Sequence, residues 1–182
     1  MNLSMAGIDY QIAPVDIRES FSYTKTSTRD ALLSWKNRVG VNECVLLSTC
    51  NRTELYLVGE ADPKVLLARP DLKIELAWRQ DLDAGLHLHE VAAGLASQVF
   101  GEDQILGQVK EAEALAQECQ AIGPILSQLF RSAITAGKRV RRELSLSPVG
   151  SSVASQSVER AHELLGGLRG KRALVIGSGQ MG

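Results

Sequence analysis

Aromatic residues make up only 4% of this chain, histidine appears three times, cysteine three times, and positive and negative side chains nearly cancel at a net charge of −1. Each scarcity excludes something. With so few rings the core must be aliphatic, and a stacked-aromatic platform for single-stranded nucleic acid has no material. Cys44, Cys50 and Cys119 form no CxxC pair and cannot all pair with one another, so neither a disulfide framework nor, with so few histidines, a zinc site is expected. A balanced charge gives no global pull on polyanions, so any nucleic-acid contact must come from a local patch. No stretch approaches the ~18 consecutive apolar residues of a membrane span, and no basic-then-apolar leader opens the chain. It therefore reads as cytoplasmic, with no membrane partner. What is present is 45% hydrophobic residues in 182, enough for a sizeable core.

The first apolar element is Leu3 to Ile8. Ser27-Thr28-Arg29-Asp30 has the form of a capping box, which predicts a helix starting after Ser27 with Ala31, Leu32 and Trp35 on its apolar face. Cys44–Leu47 and Leu55–Val58 read as strands joined by a polar connection, and a short strand is expected between Leu72 and Ala77. The second half is helical. Ile105, Val109, Ala112, Ala116 and Cys119 advance by four, three, four and three positions along one helix side. Pro124 suits the first turn of the next helix, with Ile125, Leu129, Ala133, Ala136 and Val140 at helical spacing, and a third helix is expected from Ser151 or Ser152 to Leu165. The pattern predicts an α+β fold with a largely antiparallel sheet, followed by a long linker helix. Ala173–Ile176 then reads as a buried strand running into Gly177-Ser178-Gly179-Gln180-Met181-Gly182, a GxGxxG that is either the start of a truncated Rossmann-type domain or an incidental glycine turn. The helix it should open is absent from the sequence, so the chain reads as a fragment. The expected division is 1–146 for the first domain, 147–167 for the linker helix and 168–182 for the truncated domain.

Cys50 is the candidate nucleophile, since it sits in a polar turn between apolar runs, where Arg52 could stabilise a thiolate or hold a substrate carboxylate. An ordinary, partly exposed cysteine is the competing reading. Cys44 and Cys119 fall within apolar patterns and read as core. His87 and His89 sit at or near an expected helix start and either could serve as general acid or base, or simply cap or face solvent. Arg131, Lys138, Arg139, Arg141 and Arg142 form a basic run with no acid between 131 and 142, which fits either phosphate attraction or a solvated face.

Several stretches in register resemble the glutamyl-tRNA reductase family. They are Gly7-Ile8-Asp9-Tyr10 through Ala13-Pro14-Val15 with Arg18-Glu19, the diagnostic Leu47-Ser48-Thr49-Cys50-Asn51-Arg52-Thr53-Glu54-Leu55-Tyr56, His87-Leu88 with Val91–Leu95, Gly101–Lys110, Gly137–Arg141 and Ser151–Ala154. The resemblance implies that Cys50 attacks the ester joining glutamate to its tRNA, and that NADPH then reduces the resulting thioester to glutamate-1-semialdehyde. It implies Arg52 as reader of the glutamate carboxylate, with Thr49, Ser97 and Gln108 lining the pocket and His87, rather than His89, as the active-site histidine. It implies NADPH on Gly177, Gly179 and Gly182 in a full-length enzyme but none bound by this chain, glutamyl-tRNA(Glu) as substrate, a homodimer of the full-length protein, and glutamate-1-semialdehyde aminomutase as a further partner. Asp9-Tyr10 stands where Asn-His is frequent in the family, and Ala96 replaces a frequent acidic residue. Two other readings compete: a tRNA-binding or glutamyl-transfer module without reductase activity, and a dinucleotide-dependent oxidoreductase of another class.

Overall fold

The computed structural model describes residues 2–102, 104–144 and 153–174. Four strands, β1 (Leu3–Asp9), β2 (Val41–Ser48), β3 (Arg52–Gly59) and β4 (Ala77–Gln80), form one sheet in the order β2-β3-β1-β4 with every neighbouring pair antiparallel. Helices α1 (Val15–Ser20) and α2 (Lys25–Trp35) carry the chain from β1 to β2, and α3 (Pro63–Leu67) lies between β3 and β4. This is a split β-α-β arrangement, in which the hairpin partner β3 is threaded between β1 and β2. Three longer helices follow, α4 (Asp81–Ala93), α5 (Gln104–Glu118) and α6 (Pro124–Leu144), and then α7 (Val153–Leu165). The α+β reading with a largely antiparallel sheet and closing helices holds. No helix among the described residues is long and apolar enough to cross a membrane.

An antiparallel sheet with one wet face would alternate buried and exposed positions. Here Leu3 to Ile8 in β1 and Arg52 to Val58 in β3 are buried without a break. Both faces of the central strands are therefore covered. One is the hydrophobic side of Leu55 and Leu57. The other, carrying Arg52, Glu54 and Tyr56, meets α4 and α6, where Tyr56 and Phe130 pack edge to face with centroids 5.5 Å apart. That second face is polar inside the core, and it is the one that matters for the site.

Local expectations shift in instructive ways. The helix expected after Ser27 starts at Lys25, because Thr24 is the cap and its hydroxyl accepts from the Ser27 amide at 3.2 Å. The strand expected over Leu72–Ala77 is instead β4 at Ala77–Gln80. It pairs only with Ser4–Gly7, and the Asp9 carboxylate turns the chain just beyond by accepting from the amides of Gln11 (2.9 Å) and Ile12 (3.2 Å). The stripe on α5 is buried as spaced, but the buried side of α6 runs through Leu126, Phe130, Ala133, Ile134 and Gly137, one position round from the expected set. The start of α6 explains the rotation. The buried Glu43 of β2 accepts from the amides of Ile125 (3.1 Å) and Leu126 (2.7 Å), which anchors the free N–H groups of that terminus to the sheet. Ala173 and Leu174 carry no strand, and 175–182 lie outside the described residues, as do 145–152.

Gly7 is the position where the fold depends on a missing side chain. A Cβ there would lie 2.7 Å from the Thr53 carbonyl oxygen and 2.8 Å from Cγ of Glu54, the residue opposite it in the ladder. Gly7→Ala is therefore expected to destabilise the fold by about 1–3 kcal/mol through overpacking. A lower denaturant midpoint with an unchanged slope is the expected result. A midpoint equal to that of the unaltered chain would show that β3 yields without cost.

Candidate active site

Cys50 occupies the middle of a three-residue connection, Thr49 to Asn51, between β2 and β3. Its chain neighbours fix it tightly. The Thr49 amide donates to the Arg52 carbonyl at 2.8 Å, closing the hairpin, while the Thr49 hydroxyl accepts from the amides of Asn51 and Arg52, both at 3.1 Å. From α1, Arg18 donates through Nη1 to the Cys50 carbonyl (3.0 Å) and to Asn51 Oδ1 (3.1 Å). The Cys50 side chain is exposed, whereas Cys44 and Cys119 are buried, as the patterning predicted. Burial, followed by the proximity of Cys119, pushes the Cys44 thiol up to about 12, so it is no competing nucleophile.

Two residues past Cys50 the side chains turn inward. Arg52 is 2% exposed, donating from Nη1 to Glu54 Oε1 at 2.7 Å and from Nη2 to the Ala96 carbonyl. His87 Nε2 meets that same Glu54 oxygen at 2.9 Å, and the Tyr56 hydroxyl donates to Glu54 Oε2 at 2.8 Å. Burial alone would raise the Glu54 carboxyl, but the His87 hydrogen bond and the charge of Arg52 outweigh it and hold it down at about 2. Burial also works against the Arg52 charge, yet Glu54 more than compensates and raises its pKa. Tyr56 is pushed well above its usual range, by burial first and then by Glu54. An ionised Glu54 can only accept, so His87 carries a proton on Nε2, and in its neutral form Nδ1 is the basic atom.

His87 lies mid-helix in α4, not near a helix start, and is buried; neither a capping nor a surface role fits it. His89 faces elsewhere, bonded to the Gly85 carbonyl (2.7 Å) and Ser132 Oγ (3.0 Å). Beside Glu54 and His87 is a small pocket of about 120 Å³, also bordered by Gly7, Asp9 and Arg79. It has room for a few waters. Ser97 is buried in the turn after α4, its carbonyl 3.5 Å from the donating Tyr10 hydroxyl, next to the Ala96 carbonyl that binds Arg52. Gln108 stands apart from this group. On α5 it lines a cavity of about 370 Å³ with Ser48, Leu47 and Tyr23, reaching the base of the Cys50 connection from the other side. The structure thus gathers Thr49, Cys50, Arg52, His87 and Ser97 around one network and leaves Gln108 at its edge. Gly177, Gly179 and Gly182 lie outside the described residues.

Sequence reasoning missed Glu54, which joins Arg52, His87 and Tyr56. Its signal was the run Arg52, Glu54, Tyr56 at period two on a strand whose other face is Leu55 and Leu57. The basic run on α6 also divides. Arg141 points inward and donates to the carbonyls of Glu102 (2.6 Å) and Gly101 (3.3 Å), bracing the turn behind Arg52. Glu102, in that turn, has its carboxyl raised by burial although Arg52 and Arg141 pull it down. Arg131 and Arg139 stay at the surface against Glu113 (3.4 Å) and Glu143 (2.8 Å).

Glu54→Ala leaves a buried Arg52 charge without its partner and is expected to cost about 3–5 kcal/mol. The intact network carries a pH signature. The Glu54 carboxyl drops from 4.5 to about 2 on folding, so the stability it contributes is complete above pH ~4.5 and is lost as pH falls toward 2. Denaturant midpoints between pH 6 and pH 3 should decline more steeply for the unaltered chain than for Glu54→Gln. Parallel declines would remove Glu54 from the acid response.

The family model described as "Glutamyl-tRNAGlu reductase, N-terminal domain" matches residues 6–144. Glutamyl-tRNA reductase of Rubrobacter xylanophilus is 42% identical over 192 residues, covering all of this chain and 45% of that protein. The enzyme of the same name from Marinobacter nauticus is 42% identical over 99% of this chain and 44% of that protein. Among solved structures, "Glutamyl-tRNA Reductase from Methanopyrus kandleri" superimposes with a TM-score of 0.71 at 34% identity, covering 98% of this chain and 44% of that one. The chain spans a little under half the length of these relatives.

Proposed function

We infer a function from one premise: the chain belongs to the glutamyl-tRNA reductase family, and residues 6–144 are its N-terminal domain. Cys50 is the acyl acceptor for the glutamyl group of glutamyl-tRNA. The observation that supports this reading best is an exposed thiol on a connection fixed by Thr49 and Arg18, anchored two residues on by the buried Arg52–Glu54–His87 network.

The Cys50 thiolate attacks the ester carbonyl carbon. The bond from that carbon to the terminal ribose oxygen breaks, the tRNA leaves with a proton on that oxygen, and glutamate remains as a thioester. Arg52 has five N–H donors, and Glu54 and Ala96 engage two of them, which leaves three for the substrate side-chain carboxylate. With Nε2 tied to Glu54, His87 presents Nδ1 for proton transfer, and the waters that fit the adjacent pocket give that proton a route out. Thr49, Ser97 and Gln108 shape the glutamate pocket, Thr49 by setting the turn and Gln108 from across the larger cavity. In the whole enzyme NADPH, when bound, supplies the hydride that reduces the acyl group and frees the thiol.

Incubating the chain with tRNA charged with labelled glutamate, followed by intact-protein mass analysis, should reveal a glutamyl adduct on Cys50 or cleavage of the ester. Cys50→Ser should abolish the thioester. Removing the basic atom with His87→Ala should slow adduct formation by roughly 10²-fold or more. A folded chain that gives neither adduct nor ester cleavage would rule out acyl transfer at Cys50 in this protein.

A further inference from the structure

The sequence offered Arg52 as the cation nearest the thiol, but the fold commits Arg52 to the buried Glu54, so that two opposite charges cancel in the core. Arg18 is differently placed. Its guanidinium lies against the Cys50 connection, bonded to the Cys50 carbonyl at 3.0 Å and to Asn51 Oδ1 at 3.1 Å. Among the described residues no carboxylate pairs with it, including Asp16 and Glu19 on its own helix. Its Nε is buried without any hydrogen-bond partner. A guanidinium is always charged, so this one brings an uncancelled positive charge to the loop that carries the exposed thiol.

We propose that Arg18 is the positioning residue of the Cys50 loop and the source of its positive charge, so that an anionic acyl donor approaching the thiol meets attraction there. The bond to the Cys50 carbonyl fixes the direction of the side chain, while the bond to Asn51 prevents the three-residue turn from rotating. The charge, unlike that of Arg52, has no carboxylate of this chain against it among the described residues. The link to an anionic acyl donor rests on the function inferred for Cys50. The charge at the thiol does not, and it can be measured without any tRNA.

Native alkylation provides that measurement, because Cys44 and Cys119 are buried and Cys50 is the exposed thiol. Iodoacetate and iodoacetamide share their chemistry and differ by one negative charge, so their rate ratio at Cys50, read by peptide mass mapping at one pH, reports local charge. Arg18→Gln removes the charge and keeps a polar side chain, whose amide nitrogen reaches only as far as Nε stood. It should lower the iodoacetate-to-iodoacetamide ratio roughly three- to sevenfold at low ionic strength, the size expected for one nearby charge in a largely aqueous setting. Arg18→Lys should retain most of the ratio. In the unaltered chain the ratio should fall as salt is raised from about 0.01 M to 1 M, because the charge is screened. A ratio that Arg18→Gln leaves unchanged, or that is insensitive to salt in the unaltered chain, overturns the proposal, and the salt series needs no variant to fold. If the ratio behaves as stated while labelled glutamyl-tRNA gives no adduct, the charge assignment stands and the acyl-transfer reading fails.

Discussion

Glu54 is a single carboxylate buried in the core, and the arrangement of the site follows from how it is satisfied. Its two oxygens take hydrogen bonds from Arg52, His87 and Tyr56, which belong to β3 and α4. Leaving an ionised carboxylate in that core without partners would cost several kcal/mol, so the partners are compulsory. Each constrains a separate part of the molecule. Arg52 fixes the first residue after the thiol-bearing connection, His87 fixes the rotation of α4, and Tyr56 packs on Phe130 of α6. The sheet and two of the helices are thus held in register by one charge.

A second layer supports the first through backbone carbonyls. Arg52 holds the Ala96 carbonyl, Tyr10 holds that of Ser97, and Arg141 holds those of Gly101 and Glu102. The turn between α4 and α5 leaves its large apolar side chains Leu95 and Phe100 exposed. It is kept close to the site by cationic and hydroxyl donors arriving from β3, from the turn after β1 and from α6. Such donors fix direction as well as distance.

Much of this was legible beforehand, for physical reasons that can be named. The α5 stripe reads correctly because its apolar residues all face one core. The α6 stripe is read one position off because its rotation is set by Glu43 at its first turn, a contact 82 residues distant in sequence. Alternation at Leu72, Ile74 and Leu76 resembles a strand, but a strand also needs a partner edge, and β1 offers one only over Ser4–Gly7. Cys50 was visible because a cysteine in a polar turn departs from the usual pattern. Arg52 was visible as a candidate, but its burial was not, because the acid that neutralises it sits on the same strand face and reads as ordinary solvated alternation. Arg18 carried no signal beyond its place in a familiar stretch, since its relation to Cys50 exists only once α1 folds across the hairpin.

The close approach at Gly7 has a consequence for its neighbour across the ladder. A Cβ at position 7 would meet both the Thr53 carbonyl oxygen, at 2.7 Å, and Cγ of Glu54, at 2.8 Å. Shortening residue 54 removes only the second of these, because the first is main chain. The rung therefore asks for glycine whatever side chain its partner carries.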